Sequence, residues 1–155
     1  MNIAIDQTVP TDLRLPATDE QSLALGDFAG RRIVLYFYPK DSTPGCTSES
    51  RDFAAHQADF DAANAVILGV SRDSVKSHER FRSREGLTFD LLSDADEALC
   101  EAFGVIKMKN MYGKQVRGIE RSTFLIDENG VLRREWRKVK VPGHVAEVLD
   151  AVREL

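Results

Sequence analysis

Cysteine is scarce in this chain, with two among 155 residues. Two cysteines cannot form the disulfide framework that stabilises small secreted domains, so that class of protein is excluded. The first ten residues, MNIAIDQTVP, also lack the basic start and apolar core of a secretory leader. Free thiols without a leader are typical of a reducing compartment, and we expect a cytoplasmic protein.

Long hydrophobic runs and metal-ligand spacings are also missing. No stretch approaches the roughly 20 apolar residues that cross a bilayer, so we expect no membrane partner. The three histidines, His56, His78 and His144, lack the spacing of metal ligands, and we expect them at the surface or packed in the interior. A length of 155 residues predicts one domain, spanning residues 1–155, with a sizeable core.

An excess of one charge sign is confined to part of the chain. The net charge is −4, but residues 104–140 carry ten basic and four acidic side chains, hence +6 there and −10 elsewhere. Nucleic-acid binding is one interpretation of such a basic region. However, charged residues between Arg133 and Lys140 alternate with Trp136 and Val139, which is typical of a half-exposed edge strand. We therefore predict a solvated face and no nucleic-acid partner.

The most informative stretch is residues 31–49, RRIVLYFYPKDSTPGCTSE. Its apolar run, 33–38, predicts a strand buried on both faces and ended by the following proline. Thr43 is a good N-cap residue and Pro44 suits the first helical position, so Cys46 falls at the third. Free N–H groups and the positive end of the helix dipole stabilise a thiolate there more than a thiol.

Cys46 could equally be a small buried hydrophobe, which is the usual role of a free cysteine. Its neighbours argue against that role. Residues 42–45 and 47–48 are loop-forming or polar, and none of them supplies an apolar wall. We therefore predict that Cys46 is a reactive nucleophile.

Hydrophobic periodicity predicts the elements of the remaining chain. Alternating leucines at 13–15 and 23–25 predict an N-terminal hairpin. A helix continuing to about Ala63 and the apolar run 65–70 complete a parallel strand–helix–strand unit, in which ligands gather at the carboxyl ends of strands. Further predicted elements are a helix at 74–86, a strand at 89–92, a helix from Asp94 or Asp96 to Phe103, an irregular loop at 106–118, hairpin strands at 122–126 and 131–137, and a terminal helix at 145–152.

Pro39, Thr43 and Cys46 together resemble the Pro-x-x-x-Thr-x-x-Cys signature of peroxiredoxins. The stretch FYPKDSTPGCT is similar to the branch called peroxiredoxin Q or bacterioferritin comigratory protein. Similar segments continue in the same order along nearly the whole chain, including GVSRDSVKSHERF and GIERSTFLIDENGVL. The resemblance implies an α/β protein of thioredoxin-like fold, with a central mixed β-sheet flanked by helices and an N-terminal β-hairpin.

The same resemblance implies a thiol-specific peroxidase that protects the cell against oxidative stress. Cys46 would attack hydrogen peroxide or an organic hydroperoxide and become a sulfenic acid. Thr43 would hydrogen-bond the peroxide, Arg121 in GIERSTFLID would stabilise the thiolate and the transition state, and Pro39 would shield the pocket. No metal or organic cofactor is required. Thioredoxin is the expected reductant, with glutaredoxin or glutathione as substitutes, and a monomer is expected because this branch is often monomeric.

The chain departs from the family at the second, resolving cysteine. Many members of the branch carry it five residues after the first or on the following helix, but here the first position is Arg51 and residues 74–86 contain no cysteine. Cys100 alone remains, and its place beside the apolar stripe of a helix favours a buried structural thiol. Three routes stay open: reduction of Cys46 by an outside thiol, resolution by Cys100 after local unfolding, or a cross-link between two chains. We expect the first.

Other cysteine-based functions fit the residues less well. A dithiol oxidoreductase needs Cys-x-x-Cys, and Glu49 occupies the second position. A cysteine phosphatase needs an arginine six residues after its nucleophile, whereas Arg51 lies five residues on and Glu49 would repel phosphate. A non-enzymatic binding module of thioredoxin-like fold stays open, and it predicts no turnover of hydrogen peroxide.

Overall fold

Nine β-strands form a seven-stranded sheet and a separate hairpin within residues 3–155, which are the residues that the computed structural model describes. The first two residues of the segment considered above as a leader lie outside the described residues. The strands are β1 (Leu15–Ala17), β2 (Gln21–Leu23), β3 (Arg32–Phe37), β4 (Ala65–Ser71), β5 (Asp90–Ser93), β6 (Ile106–Met111), β7 (Lys114–Ile119), β8 (Ser122–Ile126) and β9 (Leu132–Trp136). The large sheet has the order β2-β1-β5-β4-β3-β8-β9, with β3, β4 and β5 parallel and the outer pairs antiparallel.

Strand β3 occupies the interior of this sheet, as its apolar run predicted. Beyond Arg32 every residue of β3 is buried, because strands cover both of its edges and helices both of its faces. It pairs in parallel with β4 and antiparallel with β8, which sets Phe37 opposite Val70 and Ser122. The carboxyl end of β3 therefore meets the amino end of β8.

Five α-helices and one 3-10 turn (Leu25–Phe28) accompany the strands in the described part of the chain. The helices are α1 (Pro44–Ala55), α2 (Gln57–Ala62), α3 (Val75–Glu85), α4 (Ala98–Ala102) and α5 (His144–Arg153). The single helix predicted to reach about Ala63 is wrong, because the backbone of His56 (φ −103°, ψ 13°) leaves helical geometry and separates α1 from α2.

The ends of α3 and α4 show how the sequence sets helix boundaries. The Ser74 hydroxyl accepts a hydrogen bond from the N–H of Ser77, and Gly86 ends α3 in the left-handed conformation (φ 65°), as predicted. Helix α4 is shorter than predicted and begins after Glu97. Asp94 nevertheless serves its amino end, because its carboxylate accepts hydrogen bonds from the N–H groups of the second and third residues of α4.

The alternation of side chains along β3 divides the core into two clusters, one on each face of the sheet. Tyr36 lies in the cluster that contains Cys46, and Phe37 lies in the cluster that contains Cys100. Helices α1, α2, α3 and α5 contribute buried residues to the first cluster, and α4 contributes to the second. The two cysteines therefore belong to opposite faces of the sheet.

The irregular loop predicted at 106–118 is wrong, because this segment is an antiparallel hairpin of β6 and β7. Tyr112 and Gly113 join the strands with positive φ values of 52° and 79°, the geometry of a tight two-residue hairpin turn. Most side chains of the hairpin are exposed on both faces. The apolar alternation that reveals a strand is therefore absent from the sequence.

The remaining predicted elements are confirmed. Strands β1 and β2 form the N-terminal hairpin, and β8 and β9 form the hairpin predicted at Asn129-Gly130. Strand β9 is half-exposed at the edge of the sheet, and α5 buries the apolar face predicted for the terminal helix. No helix within residues 3–155 is long and apolar enough to span a membrane.

Candidate active site

The loop between β3 and α1 brings Thr43 and Cys46 to the carboxyl end of β3. Thr43 is the N-cap residue of α1 and Pro44 its first residue, so Cys46 occupies the third helical position as predicted. The Thr43 hydroxyl donates to the carbonyl of Lys40 at 2.8 Å and accepts no hydrogen bond from the helix. The first turn of α1 therefore keeps N–H groups that this side chain does not cap.

Cys46 is buried, with 1% of its surface exposed. Its surroundings are apolar, although the residues next to it in the sequence are not, because Cys46 belongs to the core cluster that includes Tyr36 and Phe53. These residues come from β3 and from farther along α1, so the polar residues next to Cys46 in the sequence do not describe its surroundings. The buried sulfur nevertheless has a charged neighbour, because the guanidinium of Arg121 contacts it.

Arg121 contacts the sulfur directly. Its Nη2 donates to Cys46 Sγ at 3.3 Å, and its Nη1 donates to Glu49 Oε1 at 2.7 Å. The pairing of β8 with β3 brings the residue before β8 to the loop that follows β3. Gly45 permits the close approach, because a Cβ at that position would lie 3.1 Å from Arg121 Nη2. The fold thus joins two predicted site residues that lie 75 positions apart.

Glu49 completes this arrangement, although no catalytic role was predicted for it from the sequence. It lies three residues after Cys46 on α1, so both side chains share the helix face that meets Arg121. The carboxyl is fully buried, and its Oε2 has no hydrogen-bond partner among the described residues. Burial raises the pKa of Glu49 to about 7, against the opposing attraction of Arg121. The spacing of three residues from the nucleophile was the signal that could have revealed it.

Arg121 keeps its charge in these surroundings. Burial by itself would lower the pKa of Arg121, but attraction to Glu49 and Cys46 outweighs burial and raises it. The positive charge also acts on Lys109 of β6 and on His144 of α5. Burial, assisted by Arg121, lowers the pKa of Lys109 and lowers the pKa of His144 to about 4. His144 is therefore a neutral neighbour of the site at physiological pH.

Cys100 lies apart from this site. It is fully buried on α4, and the central sheet separates it from Cys46. Burial raises the pKa of the Cys100 thiol, and the carboxylate of Asp94 adds to the effect. Both cysteines are free. The predicted burial of Cys100 is confirmed, and the structure does not bring it to the site residues.

The other predicted residues take simple positions. Pro39 follows β3 and is half-buried at the start of the loop. Of the histidines, His56 is half-exposed, whereas His78 and His144 are buried and hydrogen-bonded, which agrees with the prediction of surface or packing roles. Within residues 3–155, no group of three or more His, Cys, Asp or Glu side chains is arranged to hold a metal ion.

Comparison with known proteins identifies the family to which this site belongs. The model of the AhpC/TSA family matches residues 5–135. The chain belongs to the AhpC/TSA family. Two relatives of this AhpC/TSA protein are both named peroxiredoxin Bcp. The protein of Xanthomonas campestris pv. campestris is 58% identical over 142 residues, 92% of this chain and 89% of that protein. The protein of Bacillus subtilis is 50% identical over 155 residues, 100% of this chain and 98% of that protein.

Solved structures of related proteins agree with this assignment. A cysteine-to-serine mutant of Xylella fastidiosa PrxQ has a TM-score of 0.94 at 46% identity, covering 98% of this chain and 96% of that one. The Xanthomonas campestris bacterioferritin comigratory protein, studied for its alkyl peroxide reduction activity, has a TM-score of 0.90 at 53% identity, covering 96% and 98%. The predicted peroxiredoxin Q branch and thioredoxin-like fold are confirmed.

Proposed function

We propose that this AhpC/TSA protein is a thiol peroxidase in which Cys46 reduces hydrogen peroxide and organic hydroperoxides to water and alcohols. The observation that carries the proposal is the contact of Arg121 with both Cys46 and Glu49. A guanidinium 3.3 Å from the sulfur stabilises a thiolate and holds N–H donors where a peroxide oxygen gains charge. The alkyl peroxide reduction by the Xanthomonas campestris relative supports the same chemistry.

In the proposed reaction, the Cys46 thiolate attacks the distal oxygen of the peroxide. A sulfur–oxygen bond forms as the oxygen–oxygen bond breaks, and the sulfur loses two electrons to the peroxide. The leaving hydroxide or alkoxide takes up a proton and departs as water or an alcohol, while Cys46 becomes a sulfenic acid. Arg121 stabilises the negative charge on the departing oxygen through its fixed N–H groups.

Thr43 and Pro39 have supporting roles in this proposal. The Thr43 hydroxyl already donates its hydrogen to the Lys40 carbonyl, so its oxygen lone pairs are oriented to accept a hydrogen bond from the peroxide. This interaction would turn the distal oxygen toward the sulfur. Pro39 has no N–H to attract water, and its ring shields the entrance of the pocket.

We propose that an outside thiol recycles Cys46, so that the enzyme uses one cysteine. The sheet between Cys46 and Cys100 supports this route. A disulfide needs Cα atoms within about 7 Å, whereas layers packed on a sheet lie roughly 10 Å from it. The outside thiol condenses with the sulfenic acid and releases water, and a second thiol frees Cys46 from the mixed disulfide. Thioredoxin is the proposed donor, with glutaredoxin or glutathione as substitutes.

The proposed site uses side chains of a single chain, and we propose that the protein acts as a monomer with one domain over residues 1–155. The low number of cysteines, both free, supports a reducing compartment, which we propose to be the cytoplasm. Two cysteines that remain reduced are consistent with one reactive and one packing thiol.

A stopped-flow assay with hydrogen peroxide and cumene hydroperoxide tests the proposed function. We expect rapid single-turnover oxidation of the reduced wild-type protein and none above background for Cys46→Ser. Cys100→Ser is the matched control, because it removes the other buried thiol, and it should keep the wild-type rate. Equal rates for wild type and Cys46→Ser would contradict the proposal and favour a non-enzymatic binding module.

A further inference from the structure

The hairpin of β6 and β7 exposes both apolar and basic side chains. Six large hydrophobic side chains are exposed within residues 3–155, and four of them lie on this hairpin: Met108, Met111, Tyr112 and Val116. Tyr112, in the turn, is completely exposed. Residues 106–119 also carry four basic side chains and no acidic one. Exposed apolar groups concentrated on one element indicate an interaction surface.

One face of the hairpin combines these two properties. Residues paired in register point to the same side of an antiparallel ribbon, and side chains alternate along each strand. Lys109 pairs with Val116, and Met111 pairs with Lys114. Together with Lys107, two positions before Lys109, these residues form what we call the lysine face. Its two apolar side chains are exposed and lie among cations.

The other face of the hairpin is anchored to the region of α4. Met108 and Arg117 are paired on that face, and Arg117 forms ion pairs with Glu97 and Glu101. Helix α4 packs on the side of the sheet opposite to Cys46. The anchored face is therefore turned away from the reactive sulfur.

The lysine face lies beside the proposed active site. Lys109 Nζ donates to the carbonyl of Ile119, two residues before Arg121. A Cβ at Gly118, the register partner of Lys107, would lie 3.8 Å from the side chain of Lys109. Burial lowers the pKa of Lys109, Arg121 adds to this effect, and the charge of Cys46 opposes it. The ammonium group of Lys109 is therefore within electrostatic reach of the sulfur.

Resting on the proposed peroxidase function, we propose that the lysine face is the surface on which an acidic protein thiol docks to reduce the sulfenic acid of Cys46. The partner places an apolar patch over Met111 and Val116 and carboxylates beside Lys107 and Lys114. Its thiol forms a sulfur–sulfur bond with Cys46 as the sulfenic oxygen leaves as water. A second thiol of the partner then displaces Cys46, and the partner leaves as a disulfide.

Charge and size both favour this occupant. Residues 104–140 carry a net charge of +6 and the remaining chain −10, so an acidic partner is repelled elsewhere and steered to this region. A face of one short hairpin suits the small interfaces of transient redox complexes, which bury less than about 1,200 Å². An outside thiol must also approach Cys46, and the lysine face is adjacent to it.

Met111→Ser tests the apolar centre of the lysine face, with thioredoxin, the proposed donor, as the probe. One equivalent of hydrogen peroxide forms the sulfenic acid, and its reduction is timed with reduced thioredoxin and with 2-mercaptoethanol, which is too small to need docking. The ratio of the two rate constants should fall about tenfold in Met111→Ser. Met108→Ser is the matched control, an exposed methionine on the anchored face, and it should keep the wild-type ratio. Equal ratios in the two variants would overturn the proposal.

Lys114→Glu tests the charge of the same face. It should lower the ratio about fivefold and weaken its dependence on salt concentration, because an attractive charge on the docking surface becomes repulsive. Arg84→Glu is the matched control, since it makes the same change in net charge at an exposed position in the last turn of α3. If both variants lower the ratio equally, net charge rather than the lysine face governs the encounter, and the proposal is wrong.

Two other occupants of the lysine face are outcomes of the same variants. The wild type should not float with phosphatidylglycerol vesicles and should sediment as a monomer. Flotation that Met111→Ser abolishes would assign the face to a membrane, and a dimer that Met111→Ser dissociates would assign it to a second copy of the chain. Either result would overturn the proposal.

Failure of the docking proposal is distinguishable from failure of the proposed function. A wild type whose Cys46 is not oxidised by hydrogen peroxide would remove the peroxidase function. A wild type that is oxidised, but is reduced no faster by thioredoxin than by 2-mercaptoethanol at equal thiol concentration, would leave that function in place and remove the docking surface.

Discussion

Cys46 and Cys100 occupy the same position in their helices and differ in the charge beside the sulfur. Each is the third residue of its helix, α1 or α4, and each is buried. The guanidinium of Arg121 contacts Cys46, whereas the carboxylate of Asp94 lies beside Cys100 and accepts its backbone N–H. A position at the amino end of a helix therefore does not by itself distinguish a reactive thiol from a thiol that only packs in the core.

The amino ends of α1 and α4 also differ in how their backbone N–H groups are capped and in which charge lies beside them. At α4, Asp94 satisfies two backbone N–H groups and brings a negative charge that opposes a thiolate. At α1, the Thr43 side chain leaves the first turn uncapped, and Arg121, the residue before β8, adds a positive charge. The decisive difference is supplied by long-range strand pairing rather than by the residues next to each cysteine.

The largest expected effect is the difference in oxidation rate between the two thiols. Cys100 in the Cys46→Ser protein should react with hydrogen peroxide at least about a thousandfold more slowly than Cys46 in the Cys100→Ser protein, because burial and the Asp94 carboxylate hold its proton, whereas Arg121 donates a hydrogen bond to the sulfur of Cys46. Mass spectrometry after dimedone trapping measures both rates. In the wild type, one equivalent of peroxide should give a Cys46 sulfenic acid, and a stoichiometric Cys46–Cys100 disulfide would contradict the comparison.

A second prediction concerns Glu49, the buried carboxyl that lies beside Arg121 on the Cys46 side. The folded protein holds the Glu49 proton up to about pH 7, whereas the unfolded chain releases it near 4.5. The free energy of unfolding should therefore fall as pH rises through this window. Glu49→Gln removes the titration, so its stability relative to wild type should improve by about 3 kcal/mol between about pH 4 and pH 8.

Urea unfolding of both reduced proteins at several pH values measures this difference. Glu101→Gln is the matched control, because it makes the same substitution at an exposed carboxyl, and its stability profile should stay parallel to that of wild type. Parallel stability profiles for wild type and Glu49→Gln would mean that burial does not hold the Glu49 proton, and the asymmetry between the two cysteine environments would rest on Arg121 alone.

The third prediction removes the positive charge of Arg121 from the surroundings of Cys46. Arg121→Ala should slow oxidation of Cys46 by at least about tenfold, in line with the loss of an oxyanion-type donor. Arg117→Ala is the control, because Arg117 lies on strand β7 of the exposed hairpin, where it pairs with Glu97 and Glu101 of the α4 region rather than with the sulfur. An unchanged rate in Arg121→Ala stopped-flow traces would remove Arg121 from the proposed mechanism.

Local sequence was sufficient for the elements that carry the site. The apolar run of β3, the N-cap at Thr43 and Pro44 at the first helical position fix where α1 begins, and each depends only on neighbouring residues. The turn at Asn129-Gly130 was likewise predictable, because a tight turn has a residue signature. For Arg121 the residues alone gave no role, and the family resemblance named it.

Features that depend on three-dimensional neighbours could not be predicted in the same way. The burial of Cys46 comes from β3 and the helices around it, which no window around the cysteine contains. The hairpin of β6 and β7 exposes most of its side chains, so burial leaves no periodic pattern to recognise. The role of Glu49 depends on the position of the Arg121 guanidinium, and the pairing of β8 with β3 determines that position.

The smallest expected effect comes from removing the negative charge beside Cys100, which makes its surroundings more similar to those of Cys46. Asp94→Asn in a Cys46→Ser background should increase alkylation of Cys100 by iodoacetamide about threefold at fixed alkaline pH, because one negative charge is removed while burial remains. Weakening the amino end of α4 could also raise the rate by opening the helix. The two causes separate in the pH profile, since loss of charge shifts the profile to lower pH and opening raises its plateau. A raised plateau without a shift would show that burial alone holds the Cys100 proton.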